Sequence, residues 1–535
     1  MSERFIHLEL QSPELDEHPH CECGVTGVVS RKKDAPKIAT LFNYAQINRG
    51  QHSNGVGWWS SDNGIERYLQ VGPPQLVNEH VLEIDATMAL GHTRYTTEGD
   101  ESESNIQPAM ATWIDANFQE QQLILSHNGN VDLSSIKALV KVQLPEGASD
   151  SLYIAQLIAE SPGRTMADKL RNALPLVNGS YSLTILSKEG VFGIRDPRGN
   201  RPLHLADYQD GITIIASEDF PLQSRQNICS GYPLSIPPGT LVHITPNRVI
   251  TIEEDLIEPL EPSFCSLESM YLGRPENLND TRVRLGRKLA KEHPLLKNKT
   301  DAEKERIAVV GIPRGGDPFA AGYAQEAQLE NYGAQKDVRG PLLQKKVEIR
   351  SFMAPLGTNG AEAKRKMALD PTVFEEMIQN GIEEIVLVDD SLIRGSQIKP
   401  VVDLIRGISE EFGVAIKIHV ALGCPEVLQE CGLGIALDYD GLFYNRLPQI
   451  IEEFGVTHIP ETPEKQLAKV LELYGIDSLY HLSKKGMLEA FTNTEIPEGT
   501  VELAQLVLAH DYCLSCMPEG GEYVPTDVWY RSKEY

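Results

Sequence analysis

From Cys23 to about residue 255 the apolar positions fall in short β-rich runs separated by glycine turns: Val25–Val29, Leu123–Leu125, Ser182–Leu186, Ile212–Ala216 and Leu241–Ile244. Helical spacing interrupts them near Ala39–Asn48 and Ser151–Glu160. Many short strands with few helices predict a sheet-rich α+β domain built in stacked layers. Glu253–Pro262 is acidic, holds two prolines and reads as a linker. Beyond it the pattern changes to strand–helix alternation. Ile307–Val310 reads as a strand and Phe319–Ala327 as a helix; Glu384–Val388 and Lys417–Leu422 are further strands with a helix between them. That alternation predicts a parallel sheet with helices on both faces. From Pro463 on the chain reads as mostly helical and closes on Tyr512-Cys-Leu-Ser-Cys516. Residues 1–22 are polar and read as a disordered or removable leader.

Composition narrows the setting. The chain has 535 residues, 41% hydrophobic and 23% charged, enough for two to four soluble domains. No run of about eighteen apolar residues predicts a membrane span. The first twenty residues lack a basic n-region and an apolar h-region, which points to the cytoplasm. A formal charge of −27 disfavours nucleic acid as the main partner, since a polyanion needs a basic face. Eight cysteines in such a chain suggest catalysis or metal binding over disulfides.

The chemistry is densest at residues 386–396, Val-Leu-Val-Asp-Asp-Ser-Leu-Ile-Arg-Gly-Ser. An apolar strand ends in Asp389 and Asp390. A small-residue loop follows, and then Ile398, Val401, Val402 and Ile405 take helical spacing. Loop amides and a helix N-terminus can hold a phosphate while paired carboxylates accept sugar hydroxyls. An acidic pair after a strand also occurs in nucleotidases and receiver domains, so spacing alone leaves these open. Val309-Val-Gly-Ile-Pro-Arg-Gly-Gly316, followed by Ala320-Ala-Gly-Tyr323, is a second strand–glycine loop–helix unit able to cradle anions. Cys513 and Cys516 form a Cys-x-x-Cys pair that by itself fits zinc, a cluster or a redox dithiol.

The string VDDSLIRGS resembles the phosphoribosyl-pyrophosphate motif of the purine amidophosphoribosyltransferases. Further strings resemble the glutamine amidotransferase half of that family: Glu22-Cys23-Gly24-Val25, Asn48-Arg49-Gly50-Gln51, Gly91-His-Thr-Arg94-Tyr-Thr-Thr, Ser126-His-Asn128-Gly129-Asn130 and Ile194-Arg-Asp-Pro-Arg-Gly-Asn-Arg-Pro202. Cys265-Ser-Leu-Glu, ahead of Tyr271 and Arg274-Pro275, and Cys431-Gly-Leu-Gly-Ile435 resemble its iron–sulfur branch. The resemblance runs from about residue 22 to 525. It implies a leader over 1–22 and an α+β N-terminal-nucleophile (αββα) glutaminase domain over 23–255. An α/β type I phosphoribosyltransferase domain would follow over 256–485, then a C-terminal helical segment with cluster ligands over 486–535.

The resemblance also implies roles. Cys23 would be the thiolate nucleophile, its own freed α-amine the base; Cys21 is the rival, and the Gly-Val that follows Cys23 favours the latter. Asn128 and Gly129 would form the oxyanion hole. Arg94 would bind the carboxylate of glutamine and Asp150 its ammonium. Asp389 and Asp390 would hold ribose hydroxyls and magnesium, while Ser391, Arg394, Gly395 and Ser396 would hold the 5′-phosphate. Arg314, Gly315, Gly316 and Arg350 would bind the rest of phosphoribosyl pyrophosphate. The family usually has an aspartate and a hydroxyl residue at 314 and 315, and its closing loop matches 350–366 with extra glycine in the middle. Cys265, Cys431, Cys513 and Cys516 would ligate a [4Fe–4S] cluster, with a four-thiolate zinc site as the rival. Ammonia from glutamine would displace pyrophosphate at ribose C1, giving 5-phosphoribosylamine, the first step of purine synthesis. The implied partners are these small substrates, purine nucleotides as inhibitors and further copies of the chain in a dimer or tetramer. A glutaminase paralogue with another phosphoribosyl-like substrate, and a non-catalytic nucleotide-binding regulator, are the alternatives.

Overall fold

Val25, Val28 and Val29 carry no exposed surface although they point to opposite faces of one strand, Gly24–Ser30. A strand apolar on both faces must be covered on both, and this one is. In this computed structural model residues 23–76, 78–94, 105–223, 233–272, 276–297, 299–313, 315–333, 341–345, 367–433, 435, 437, 439–494 and 512–517 are described. Gly24–Ser30 lies inside a seven-stranded sheet. Edge to edge it runs Leu234–Ser235, His204–Tyr208, Ile212–Ala216, Gly24–Ser30, Met88–Arg94, Ser53–Ser60 and Gly64–Val71, antiparallel throughout. A six-stranded antiparallel sheet faces it: Ile250–Glu253, Leu241–Ile244, Gly190–Arg195, Gly179–Ser187, Glu120–Val131 and Ala109–Ile114. Val25, Val29, Leu90, Ile124, Val191 and Ile215 fill the space between the sheets.

The alternate residues face outward onto helices. Val28, Ala89 and Ile214 pack under Ala35–Ala45. Leu123, Leu125 and Leu183 pack under Asp150–Glu160 and Met166–Ala173. The result is four layers, helix–sheet–sheet–helix. The first helix covers Ala35–Ala45 instead of 39–48, because Pro36 pre-sets its first turn and Ile47–Arg49 form a turn.

The stretch expected to be a linker is bound down. Ile250–Glu253 is the edge strand of the second sheet, and the chain then stays on the domain. Ile257 N–H donates to the Gly239 carbonyl (3.2 Å), Leu260 N–H to Pro197 (2.8 Å) and Ser263 N–H to Arg198 (3.0 Å). The strand ends at a turn over 254–255, where Asp255 is left-handed at φ 58°, and the backbone beyond it stays tied to the domain.

The second half centres on a five-stranded parallel sheet, Glu330–Asn331, Ile307–Gly311, Glu384–Asp389, Lys417–Leu422 and Ser478–His481. Helices Glu276–Glu292, Asp317–Ala327 and Lys484–Thr492 cover one face, and Pro371–Gln379 and Ile398–Glu411 the other. Ser478–His481 is a strand in a region expected to be helical. Gly475, left-handed at φ 75°, ends the helix Pro463–Tyr474, and Ser483 caps the next one, leaving room for a short edge strand. Cys513 likewise lies in a strand, Tyr512–Cys513, parallel to Phe264–Cys265. Among the described residues no helix is long and apolar enough to cross a membrane.

Candidate active sites and a four-cysteine site

Cys23 stands just ahead of the strand Gly24–Ser30, whose first residues are pinned. Gly24 N–H donates to Thr93 Oγ1 (3.1 Å) and Val25 N–H to Ser217 Oγ (3.0 Å). Gly24 pairs with Thr93 in register, which brings Cys23 to the end of the strand that carries Arg94. Arg49 Nε donates to the Cys23 carbonyl oxygen (3.2 Å). The same buried guanidinium meets Glu218 (3.3 Å) and Glu268 (2.5 Å). Arg94 is itself buried, and its backbone packs so closely on Gly50 that a Cβ there would lie 2.5 Å from the Arg94 carbonyl carbon.

A second strand meets this corner. His92 Nε2 lies 3.1 Å from the His127 carbonyl oxygen. Burial, against the opposing pull of that carbonyl, takes the His92 pKa down to about 3, so a neutral ring donates this bond. Asn128 follows. Its side chain is fully buried, and neither its oxygen nor its nitrogen has a hydrogen-bond partner. An unsatisfied buried amide is costly and asks for an occupant. Gly129 has φ 146°, and a Cβ on it would meet the Ser180 carbonyl oxygen at 2.0 Å. Asp150, in the first turn of its helix, accepts from Ser151 N–H (2.7 Å) and lies 3.5 Å from His127 Nδ1. Burial raises the Asp150 pKa, but His127 and Ser151 together leave it below the usual carboxylate range. Strand pairing thus sets Cys23 beside the end of the Arg94 strand, and hydrogen bonds link that strand through His92 to His127, next to Asn128 and Gly129 and 3.5 Å from Asp150.

In the second half, Asp389 and Asp390 lie at the C-terminal end of a central strand, both nearly buried. Asp389 Oδ1 accepts from Asp390 N–H (2.9 Å), and Asp390 Oδ1 from Ser391 Oγ (2.8 Å). Burial first, then the charges of Asp390 and Asp317, push the Asp389 carboxyl well above the usual range. Ser391, Arg394, Gly395 and Ser396 form the loop before the helix Ile398–Glu411, and Gly395 is left-handed at φ 79°. Gly315 touches the acidic pair: a Cβ on it would lie 2.2 Å from Asp390 Oδ2. Gly316 packs as tightly on the Val388 carbonyl, at 2.3 Å. Arg314, Arg350, the loop at 350–366 and the leader at 1–22 lie outside the described residues.

Cys265, Cys431, Cys513 and Cys516 line one cavity with Asn200 and Leu433. Cys265 and Cys513 sit opposite each other in register. Burial pushes the Cys265 thiol up to about 12, and burial with the neighbouring Cys431, Cys513 and Cys265 pushes Cys516 well above the usual thiol range. Yet among the described residues no three His, Cys, Asp or Glu side chains are grouped to hold a metal ion. The four thiols share that one cavity.

Sequence reading missed the residues that brace these sites. Arg49 belongs to the string Asn48–Gln51, but nothing near Glu218 or Glu268 announces that they balance its charge. Thr93 and Ser217 act through hydrogen bonds to backbone N–H groups, which leave no spacing signal.

No protein-family model matches the chain. It is 30% identical over 487 residues to the amidophosphoribosyltransferase of Synechocystis sp. (strain ATCC 27184 / PCC 6803 / Kazusa), covering 88% of this chain and 87% of that one. It is 26% identical over 536 residues to the amidophosphoribosyltransferase of Methanocaldococcus jannaschii, covering 95% and 98%. Its fold matches the glutamine phosphoribosylpyrophosphate amidotransferase of B. subtilis, complexed with ADP and GMP, with TM-score 0.70 at 23% identity over 94% of this chain and 97% of that one. A solved allosteric regulatory enzyme of purine biosynthesis matches with TM-score 0.71 at 24% identity over 94% and 96%.

Proposed function

The chain belongs to the amidophosphoribosyltransferase family, and from that premise we propose how its residues divide the work. The protein is a glutamine-dependent pentosyltransferase of purine biosynthesis. It turns phosphoribosyl pyrophosphate, glutamine and water into 5-phosphoribosylamine, glutamate and pyrophosphate. We read the four-layer half as an N-terminal-nucleophile glutaminase and the parallel-sheet half as a type I phosphoribosyltransferase.

In the first half the Cys23 thiolate attacks the carboxamide carbon of glutamine. Removal of residues 1–22 frees its α-amine, which titrates near pH 8 and accepts the thiol proton. The Asn128 side chain and the Gly129 N–H take up the charge on the carbonyl oxygen. One such donor is typically worth about 3 kcal/mol in the transition state. The Arg94 fork binds the α-carboxylate and Asp150, kept ionised, the α-ammonium. Ammonia leaves, and water releases glutamate from Cys23. The observation that carries this reading is the buried Asn128 amide without a partner, one residue past the His127 carbonyl that the Cys23 side of the site grips.

In the second half Asp389 and Asp390 accept the ribose hydroxyls, and Ser391, Arg394, Gly395 and Ser396 hold the 5′-phosphate. The Gly315–Gly316 turn, its Gly316 N–H held by the Ile312 carbonyl (2.9 Å), lets the backbone approach pyrophosphate, joined by Arg314 and Arg350. Asp389 and Asp390 fit magnesium, because a cation would offset the burial and the Asp390 charge that raise the Asp389 pKa; bound, it would neutralise the leaving pyrophosphate. The four cysteines that line one cavity would be the ligands of an iron–sulfur cluster, which takes four thiolates. Purine nucleotides as inhibitors and assembly into a homo-oligomer complete the proposal.

The test is an anaerobic assay with glutamine, magnesium and phosphoribosyl pyrophosphate, scoring glutamate and pyrophosphate separately. Release of both in equal amounts supports the reading. Glutamate release indifferent to phosphoribosyl pyrophosphate would sink it.

A further inference from the structure

Arg201 has no exposed surface, and it comes from the glutaminase half of the chain. Its guanidinium donates to the carbonyl oxygen of Leu433, which also accepts from Ser180 Oγ (2.6 Å). The N–H of Leu433 donates to Cys431 Sγ (3.4 Å). The Arg201 backbone is held in turn: its carbonyl accepts from Ser182 Oγ (3.1 Å) and Arg195 Nε (2.6 Å). The preceding residue, Asn200, lines the thiol cavity, and its carbonyl accepts the Cys265 N–H (3.4 Å). A guanidinium keeps its charge at any accessible pH. A cluster held by four thiolates, those of Cys265 and Cys516 buried, would carry net negative charge, which burial disfavours unless a cation lies close.

We propose that Arg201 is a positioning residue for the four-thiol site, clamping the Cys431–Leu433 loop and supplying the buried positive charge that protects a bound cluster from oxidation. The proposal rests on the cluster reading above. Its field reaches Cys265 and Cys513, where it opposes the effect of burial on both thiols. A nearby cation stabilises the more negative, reduced form of a cluster. Losing it moves the reduction midpoint to more negative potential and makes oxidation easier.

The experiment uses the full chain purified without oxygen as wild type, Arg201→Met, Arg201→Lys and Ser180→Ala. Iron and sulfide content, the reduction midpoint and the rate of bleaching in air are measured for each. Outer-sphere partners typically matter about 10–100-fold, so Arg201→Met should bleach about tenfold faster with a more negative midpoint. Arg201→Lys keeps the charge but not the fork, so it should hold the midpoint and still bleach faster. Ser180→Ala leaves the charge in place and should keep the midpoint. If Arg201→Met fails to fold, Arg201→Lys decides by its bleaching rate. Loaded Arg201 variants that bleach and titrate like wild type overturn the proposal alone. Wild-type protein free of iron and sulfide removes the cluster reading and this proposal with it.

Discussion

Arg49 Nε donates to the Cys23 carbonyl oxygen at 3.2 Å while the rest of its guanidinium is shared between Glu218 and Glu268. One side chain therefore ties the residue read as the nucleophile to the segment that follows Cys265. Removing a partner from a buried ion pair typically costs about 3–5 kcal/mol, because the remaining charges lose their counter-ion. Arg49→Met should lower stability by that order, read from denaturant unfolding. It should also slow glutamine use more than the reaction with free ammonia. Equal loss of both activities would mean that Arg49 holds the fold and not Cys23.

Asn128 makes the opposite prediction. Its amide has no partner to lose, so Asn128→Ala should leave the melting temperature unchanged or raise it. Glutamate formation should nevertheless fall about 10²–10³-fold, the usual effect of deleting one oxyanion donor. Ammonia-dependent turnover should persist, as it should in Cys23→Ala. A destabilised variant with intact glutaminase turnover would make Asn128 a structural residue.

These contrasts show what the chain announced about itself. Mostly apolar strands, such as Ile212–Ala216 and Ile418–Leu422 of Lys417–Leu422, were legible because both faces are covered. The strand, loop and helix around Asp389 and Asp390 were legible because they follow one another within a dozen residues. The strand that holds Cys513 was not legible, since Tyr512–Cys513 exists only by pairing with Phe264–Cys265 far away in sequence. Ser478–His481 was hidden for the same reason: it is an edge strand selected by its neighbour Lys417–Leu422. The bracing of Cys23 by Arg49, Thr93 and Ser217 was hidden because hydrogen bonds to backbone groups impose no repeat.

Asp389 yields a pH prediction. Its folded pKa is raised by burial, Asp390 and Asp317, whereas an unfolded aspartate titrates near about 3.9. Between those values the folded state binds the extra proton, so stability falls as pH rises through that range. Asp389→Asn escapes this loss. Its gain in melting temperature over wild type should therefore be larger at pH 8 than at pH 5, while phosphoribosyl transfer is lost. Magnesium should raise the melting temperature of wild type at pH 8 and do little for the variant. A gain independent of pH would show that the Asp389 carboxyl is not under this strain.

Gly315 carries the last prediction. A Cβ there would stand 2.2 Å from Asp390 Oδ2, and Asp390 cannot simply turn away, because its other oxygen accepts from Ser391 Oγ. The backbone at 315 does not need a left-handed conformation, so any cost comes from side-chain crowding alone. Overpacking of this kind typically costs about 1–3 kcal/mol. Gly315→Ala should push the Asp390 carboxylate out of place. Its KM for phosphoribosyl pyrophosphate should rise about tenfold, the equivalent of roughly 1.4 kcal/mol. Glutamate release in the absence of that substrate should stay as in wild type. A serine at 315, the kind of residue the family usually has there, should be no better tolerated, since its Cβ meets the same oxygen. Wild-type KM in both variants would mean that the loop and the acidic pair do not share one ligand.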